Sequence, residues 1–238
     1  ETVLYYASFS RGTKGGGFLN LPTSIAASEF EEEQADTIEL GAKINIDRGT
    51  VAIALFKTEI DDYQQNLFNG ASFDSVQVPL KSEGVDFEAY LGITDKLRFD
   101  AQVTYANTLN KDVGYEPQNS PLWSGNVNLT YTTPLVNNGL DISGSVGVAY
   151  KSDILWNTLE RTIGRSPNGD IYGTDAHSLV NANLALSSGD EWTISLIGKN
   201  LTDKKYVSYA RVGSFTGTTN AALGMPRTLA LQFSYHYN

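Results

Sequence analysis

The most constraining feature of this 238-residue sequence is a one-by-one alternation of apolar and polar residues that continues along most of the chain. Residues 38–46, which read IELGAKINI, show it clearly, because every second residue is Ile, Leu or Ala. Successive side chains of an extended strand point to opposite faces, so this period predicts strands with one apolar face. Almost no stretch repeats with the period of a helix. The chain is therefore predicted to be all-β.

About ten strands follow from this pattern. The segments at 2–11 and 50–66 alternate less regularly than the other eight. The clean segments are 38–46, 85–93, 97–105, 123–131, 140–150, 180–186, 192–196 and 229–237. A soluble sandwich or a soluble up-and-down barrel would show the same period, because its strands are also apolar on one face and polar on the other. The alternation alone leaves these architectures open.

The lengths of the connections distinguish these architectures. Short connections are predicted at 47–49, 94–96, 132–138 and 187–190, and they alternate with longer ones at 12–36, 67–81, 107–121, 152–177 and 202–223. Outer-membrane barrels combine short periplasmic turns with long extracellular loops, whereas a soluble sandwich has no reason to separate loop lengths by end. We therefore expect an antiparallel transmembrane β-barrel whose last strand ends on the periplasmic side.

Composition excludes several other classes. No window approaches the roughly 20 apolar residues that a membrane-spanning helix requires. The chain has no Cys, which excludes Cys-based catalysis and Cys-ligated zinc, and its net charge of −10 argues against nucleic-acid binding. Aromatic residues near predicted strand ends favour interfacial girdles, although strands also favour aromatic residues in general. These residues are Tyr5, Tyr6, Phe9, Tyr105, Trp123, Tyr131, Tyr150, Trp192, Tyr235 and Tyr237.

Five short motifs are spread along the chain, namely 5–18 (YYASFSRGTKGGGF), 39–43 (ELGAK), 84–88 (GVDFE), 198–206 (GKNLTDKKY) and 224–228 (GMPRT). They resemble motifs of TonB-dependent outer-membrane receptors, and they occur in the order of that family. The resemblance implies that residues 1–238 are the C-terminal part, about ten strands, of a barrel of about 22 strands. The plug domain, the TonB box and the earlier strands are expected to lie outside this sequence. The absence of an initiator Met and of a signal peptide agrees with a fragment, and Asn238 departs from the usual aromatic end.

The resemblance also implies a function, which is active uptake of a scarce ligand, most commonly a ferric siderophore complex, and no enzymatic activity or cofactor. The implied partners are outer-membrane lipid and lipopolysaccharide, the plug and N-terminal strands, the TonB–ExbB–ExbD complex and the small-molecule ligand. Import of carbohydrate or cobalamin, a passive porin or barrel scaffold, and a soluble binding module remain the alternatives.

Binding residues concentrate on long connections held by a rigid scaffold. Two of the longest connections combine Arg with aromatic residues, which suits an anionic and partly aromatic ligand. The candidates are Trp156, Arg161, Arg165 and Tyr172 in the first and Tyr206, Tyr209, Arg211 and Phe215 in the second. Arg211 is the strongest of them, because it closely follows the GKNLTDKKY motif. The alternative is that these side chains merely meet lipopolysaccharide and solvent.

Other polar motifs have structural interpretations. Asn200 and Asp203 are expected to order the exit from a strand through side-chain hydrogen bonds to the backbone. The acidic pair at 61–62 and the run at 31–33 could bind Ca²⁺ or simply be solvated. His177 and His236, the two histidines, suggest no catalytic or metal-binding constellation. Polar strand residues are expected to face the plug in this family or water in an open pore, namely Glu39, Lys43, Asp86, Glu88, Arg98, Asp100 and Lys199.

Overall fold

The structure is a computed structural model that describes residues 2–18, 29–68, 73–114, 116–135, 139–156, 173–189, 191–212 and 219–237, with backbone alone at 66–68, 73–75, 211–212 and 219. Its described residues form strands and turns, without a helix long and apolar enough to cross a bilayer.

Ten strands form one antiparallel sheet in which each strand pairs with the next of the ten along the chain. These strands are β1 (Thr2–Lys14), β4 (Glu33–Ile46), β5 (Gly49–Phe68), β6 (Phe73–Gly92), β7 (Leu97–Asn110), β8 (Trp123–Leu135), β9 (Leu140–Lys151), β12 (His177–Ser188), β13 (Trp192–Lys199) and β16 (Thr228–Tyr235). Three small pairs lie between them in the chain, β2 (Gly17–Phe18) with β3 (Glu29–Phe30), β10 (Ile154–Leu155) with β11 (Gly173–Thr174), and β14 (Val207–Val212) with β15 (Thr219–Leu223). The predicted all-β, up-and-down order of about ten strands is confirmed.

The strands extend further towards the long connections than the alternation predicts. The prediction of a connection at 67–81 is wrong, because β5 and β6 remain paired from Gly49↔Leu91 up to Phe68↔Phe73. The connection expected at 202–223 contains the paired strands β14 and β15. Backbone hydrogen bonds hold a hairpin together without an alternating apolar face, so pairing continues where the sequence period fades.

The apolar residues of neighbouring strands lie in continuous rows on one face of the sheet. One such row runs Ala42, Ile53, Phe87 and Val103 across β4 to β7. This face is uncovered: Leu40 is 54% exposed and Leu184 is 51% exposed. Among the described residues, the buried apolar side chains are Leu80, Ala89, Ala101, Ile154 and Ala210. Because a soluble sandwich buries its apolar faces between two sheets, this single layer does not support the sandwich alternative.

The polar face of the sheet has two recesses, of about 370 and 310 Å³, whose side chains come mainly from the polar positions of the strands. The first is lined by Tyr6, Glu39, Asp86, Glu88, Gln102 and Thr104, among others. The second is lined by Asn126, Asn128, Asn181, Asn183 and Lys199, among others. A recessed polar face opposite an exposed apolar face is the arrangement of a membrane barrel with a polar lumen.

Candidate functional site

The turn after β13 anchors the last long connection to the sheet. Asn200 is 3% exposed and has a φ of 48°. Its Nδ2 donates to the carbonyl oxygens of Lys204 at 2.9 Å and Met225 at 3.0 Å, and its Oδ1 accepts from the Lys204 amide at 2.8 Å. Asp203 Oδ1 accepts from the Arg227 amide at 3.1 Å. These bonds join the end of β13 to the approach of β16, so the structural role predicted for Asn200 and Asp203 is confirmed.

Tyr206 connects this turn to the start of β12. Its ring stacks on the His177 ring with centroids 4.6 Å apart and an interplanar angle of 21°. Its carbonyl oxygen accepts from the Gly224 amide at 2.8 Å. A Cβ at Gly224 would lie 2.0 Å from the Tyr206 ring, so the ring occupies space that any other residue would need. Tyr206 is therefore held by contacts from two separate segments.

Trp156 and Tyr209 meet although they belong to different connections. Their ring centroids are 5.8 Å apart at an interplanar angle of 66°, an edge-to-face arrangement. Trp156 Nε1 donates to Thr174 Oγ1 at 2.9 Å, and Thr174 Oγ1 donates to the Val207 carbonyl oxygen. Thr174 is only 6% exposed, so this chain of hydrogen bonds is sheltered from water. The two connections thus form one joined surface, on which Tyr209 remains 51% exposed.

The structure brings two of the predicted site residues, Trp156 and Tyr209, into ring contact, and it stacks a third, Tyr206, on His177. Tyr209 and Arg211 lie in β14, where the backbone of Arg211 pairs with Asn220, so the expectation of loop positions is wrong for these two. The side chain of Arg211 lies outside the described structure. Residues outside it altogether are Arg161, Arg165, Tyr172 and Phe215.

Thr174 and His177 join this surface without having been predicted. Thr174 is the last residue of β11, and His177 is the first residue of β12. A single Thr and a single His next to a strand carry no periodic signal. Their role depends on the approach of β14, which is visible only in three dimensions.

The polar face of the sheet forms a second surface with several acidic groups. Tyr6 Oη donates to Glu39 Oε1 at 2.6 Å, and Thr104 Oγ1 donates to Asp86 Oδ1 at 2.6 Å. Across the sheet, Asn183 Oδ1 is a buried atom without a hydrogen-bond partner in the described structure. The described residues contain no group of three or more His, Cys, Asp and Glu that could hold a metal ion. This face offers polar side chains towards whatever fills the lumen.

Residues 1–201 match the protein family described as "TonB dependent receptor-like, beta-barrel". No curated protein matches the sequence significantly.

Several solved structures share the fold at low sequence identity. The ferric yersiniabactin uptake receptor FyuA from Yersinia pestis aligns with a TM-score of 0.79 at 16% identity, over 97% of this chain and 34% of that receptor. BauA, the ferric preacinetobactin receptor from Acinetobacter baumannii, aligns with a TM-score of 0.70 at 16% identity, over 98% of this chain and 34% of that receptor. The copper transporter OprC aligns with a TM-score of 0.72 at 17% identity, over 98% of this chain and 36% of that transporter. This chain spans about a third of the length of these proteins.

Proposed function

The chain belongs to the TonB-dependent receptor β-barrel family, and from this we propose that it is the C-terminal barrel part of a receptor for active uptake of a scarce ligand. Proteins of this family are outer-membrane receptors and transporters, which places the chain in the outer membrane. The proposal assigns residues 1–238 to a barrel of about 22 strands that encloses a plug domain. The porin alternative would instead require an unplugged lumen.

In the proposed mechanism, the ligand binds on the extracellular side to the long connections and the apex of the plug. The TonB–ExbB–ExbD complex then pulls on the plug through the N-terminal part of the receptor and opens a path along the lumen. The residues of this chain contribute the extracellular surface and part of the luminal wall. Glu39, Asp86 and Glu88 line that wall and would face the plug.

We propose a ferric siderophore complex as the ligand. The observation that carries this proposal is the joined surface of Trp156 and Tyr209, because two aromatic side chains from separate connections meet at the long-connection end. Aromatic rings cover the flat apolar parts of such a ligand, while an Arg on the same strand, Arg211, suits its carboxylate or catecholate oxygens. Siderophore receptors among the structures with this fold support the choice, and the copper transporter among them keeps a metal ion as the competing ligand.

Binding measurements on the intact receptor test this assignment. The probes are ferric complexes of a catecholate, a hydroxamate and a carboxylate siderophore, together with a copper salt and cobalamin. For the probe that binds wild type, Trp156→Ala and Arg211→Ala should each weaken the affinity roughly 10- to 30-fold. Trp192→Ala removes the same side chain at the short-turn end and should leave the affinity unchanged. Unchanged affinity in both site variants would contradict the assigned surface.

A further inference from the structure

The side chain of Thr174 lies between the two connections that carry Trp156 and Tyr209, and the proposed function gives it no role of its own. Its Oγ1 accepts a hydrogen bond from Trp156 Nε1 at 2.9 Å and donates one to the carbonyl oxygen of Val207. A hydroxyl group has one proton to donate and also accepts hydrogen bonds, so both of these bonds form at the same time. This single hydroxyl therefore joins an indole on one connection to the backbone of the other.

The backbone around Trp156 is held by contacts that do not involve its ring. Ile154, two residues earlier, pairs with Thr174 in the two-stranded sheet of β10 and β11 and is 5% exposed. The carbonyl oxygen of Leu155 accepts a hydrogen bond from the Asn119 amide at 2.8 Å. The freedom that remains at residue 156 is rotation about its side-chain bonds, and a hydrogen bond at Nε1, far out on the indole, restricts that rotation. The Thr174 hydroxyl therefore selects one orientation of the ring.

The phenol ring that meets the indole belongs to a β-bulge in β14. The register shifts between Val207, which pairs with Leu223, and Tyr209, which pairs with Ala222, so Ser208 is the extra residue. Ser208 Oγ donates to the Ala222 carbonyl oxygen at 3.1 Å and so ties the bulge to β15. Bulges redirect side chains and are frequent beside functional sites. The carbonyl group that receives the hydrogen bond of the hydroxyl and the ring that meets the indole thus lie on either side of one bulged residue.

The hydrogen bond to Thr174 also determines which part of the indole a ligand meets. The only polar atom of a Trp side chain is the Nε1–H donor, and at Trp156 this donor is already used. The rest of the indole offers carbon atoms alone. The rings of Trp156 and Tyr209 are inclined by 66°, so together they form a corner of two aromatic surfaces. Such a corner suits a flat aromatic group of a ligand, because rings pack edge-to-face or offset-stacked on one another.

We propose that Thr174 is a positioning residue for ligand binding, which holds the Trp156 ring edge-to-face on Tyr209 before the ligand arrives. This inference rests on the proposed function, because Thr174 acts through the surface to which that function assigns the ligand. A ring that is already fixed loses less conformational freedom when the ligand binds, so the affinity is higher. Without the hydroxyl, Trp156 Nε1 and the Val207 carbonyl oxygen would each lose this hydrogen bond, and the indole would rotate away from Tyr209.

Fluorine NMR of the full-length receptor in nanodiscs measures the position of this ring without any ligand. The receptor is labelled with fluorotryptophan, and the signal of Trp156 is identified by its absence from Trp156→Phe. Thr174→Val keeps the shape of the side chain but removes the hydroxyl, so it should shift and broaden this signal. Thr174→Ser keeps the hydroxyl and should restore the wild-type signal. Thr132→Val, which removes a hydroxyl hydrogen-bonded to Ser143 at 3.0 Å near a short turn, is the matched control and should leave the signal unchanged.

The affinity for ferric enterobactin, a siderophore complex with aromatic catechol rings, connects the ring position to ligand binding. Thr174→Val should weaken this affinity roughly 3- to 10-fold, because one freed side chain has to be ordered again on binding. Thr174→Ser should restore it. In a receptor that already carries Trp156→Ala, the Val substitution should have no further effect, because Thr174 acts only through that ring. A merely structural role of Thr174 would instead weaken binding by the same factor in both backgrounds.

Two results would overturn the proposal. The first is an unchanged Trp156 signal in Thr174→Val, and the second is an equal loss of affinity on this substitution with and without Trp156→Ala. Failure of the wild-type receptor to bind ferric enterobactin would count against the proposed ligand, whereas the NMR comparison would still decide whether Thr174 positions the ring. If Thr174→Val does not fold, Thr174→Ala replaces it in both measurements, and the same two results would overturn the proposal.

Discussion

At the scale of single residues, the contact between Gly224 and Tyr206 shows how one missing side chain positions a ring. The ring lies where a Cβ of residue 224 would stand, at 2.0 Å, and it also stacks on His177. Gly224→Ala should displace the ring and destabilise the folded receptor by about 1–3 kcal/mol, because a methyl group inserted into a filled space forces side chains to move. Urea unfolding of the receptor in lipid vesicles measures this free energy.

The matched control for this substitution is Gly15→Ala. A Cβ at Gly15 would meet no atom within 4 Å, so the same added methyl group should be tolerated there. Equal unfolding midpoints for both variants would mean that the Tyr206 ring is not confined as the structure indicates.

At the scale of strands, the two faces of β12 separate lipid from lumen. Leu184 lies on the apolar face opposite Leu196 and is 51% exposed, while its neighbour Asn183 lines the recess on the polar face. Leu184→Arg should lower the free energy of unfolding by roughly 2–4 kcal/mol, which is the destabilisation caused by a basic side chain at the bilayer midplane. Asn183→Arg should cost less, because its guanidinium reaches the polar lumen. Urea titration of the membrane-folded receptor compares the unfolding free energies of the two variants. A larger decrease for Asn183→Arg than for Leu184→Arg would reverse the assignment of the faces.

The alternation of apolar and polar residues predicts the two faces of a strand. It does not predict how far the hairpin of β5 and β6 extends. Residues 67–75 lack a regular apolar face, yet the backbone ladder extends as far as Phe68 and Phe73. The two-residue period of the sequence indicates which side chains face lipid and which face the lumen. It does not report where backbone pairing stops, because hydrogen bonds between strands are made equally well beyond the membrane.

At the scale of the whole molecule, the ten-stranded sheet has β1 at one edge and β16 at the other, and these two strands do not pair with each other in the described structure. Unpaired backbone N–H and C=O groups are costly in lipid, so an open edge in a membrane has to be paired. We therefore expect that residues 1–238 alone do not form a closed pore.

Conductance across planar lipid bilayers and size-exclusion chromatography of refolded residues 1–238 check this expectation. Heterogeneous, non-conducting material is the expected result, and the longer receptor under the same conditions is the control for refolding. A monodisperse, pore-forming protein made of these residues alone would contradict it.

The alternating sequence determined the number, order and facing of the ten strands, because the period of a strand is local and the bilayer sorts its two faces independently of the rest of the chain. The motif at 198–206 likewise carries its own turn geometry in Asn200 and Asp203. Only the tertiary structure decided which residues of distant connections meet, as Trp156 meets Tyr209 and His177 meets Tyr206. It also decided that Arg11, Asp36, Glu59 and Lys81 from four strands lie in one cross-strand row. Such neighbours depend on register across several strands and on the approach of separate hairpins, and no local pattern in the chain encodes either.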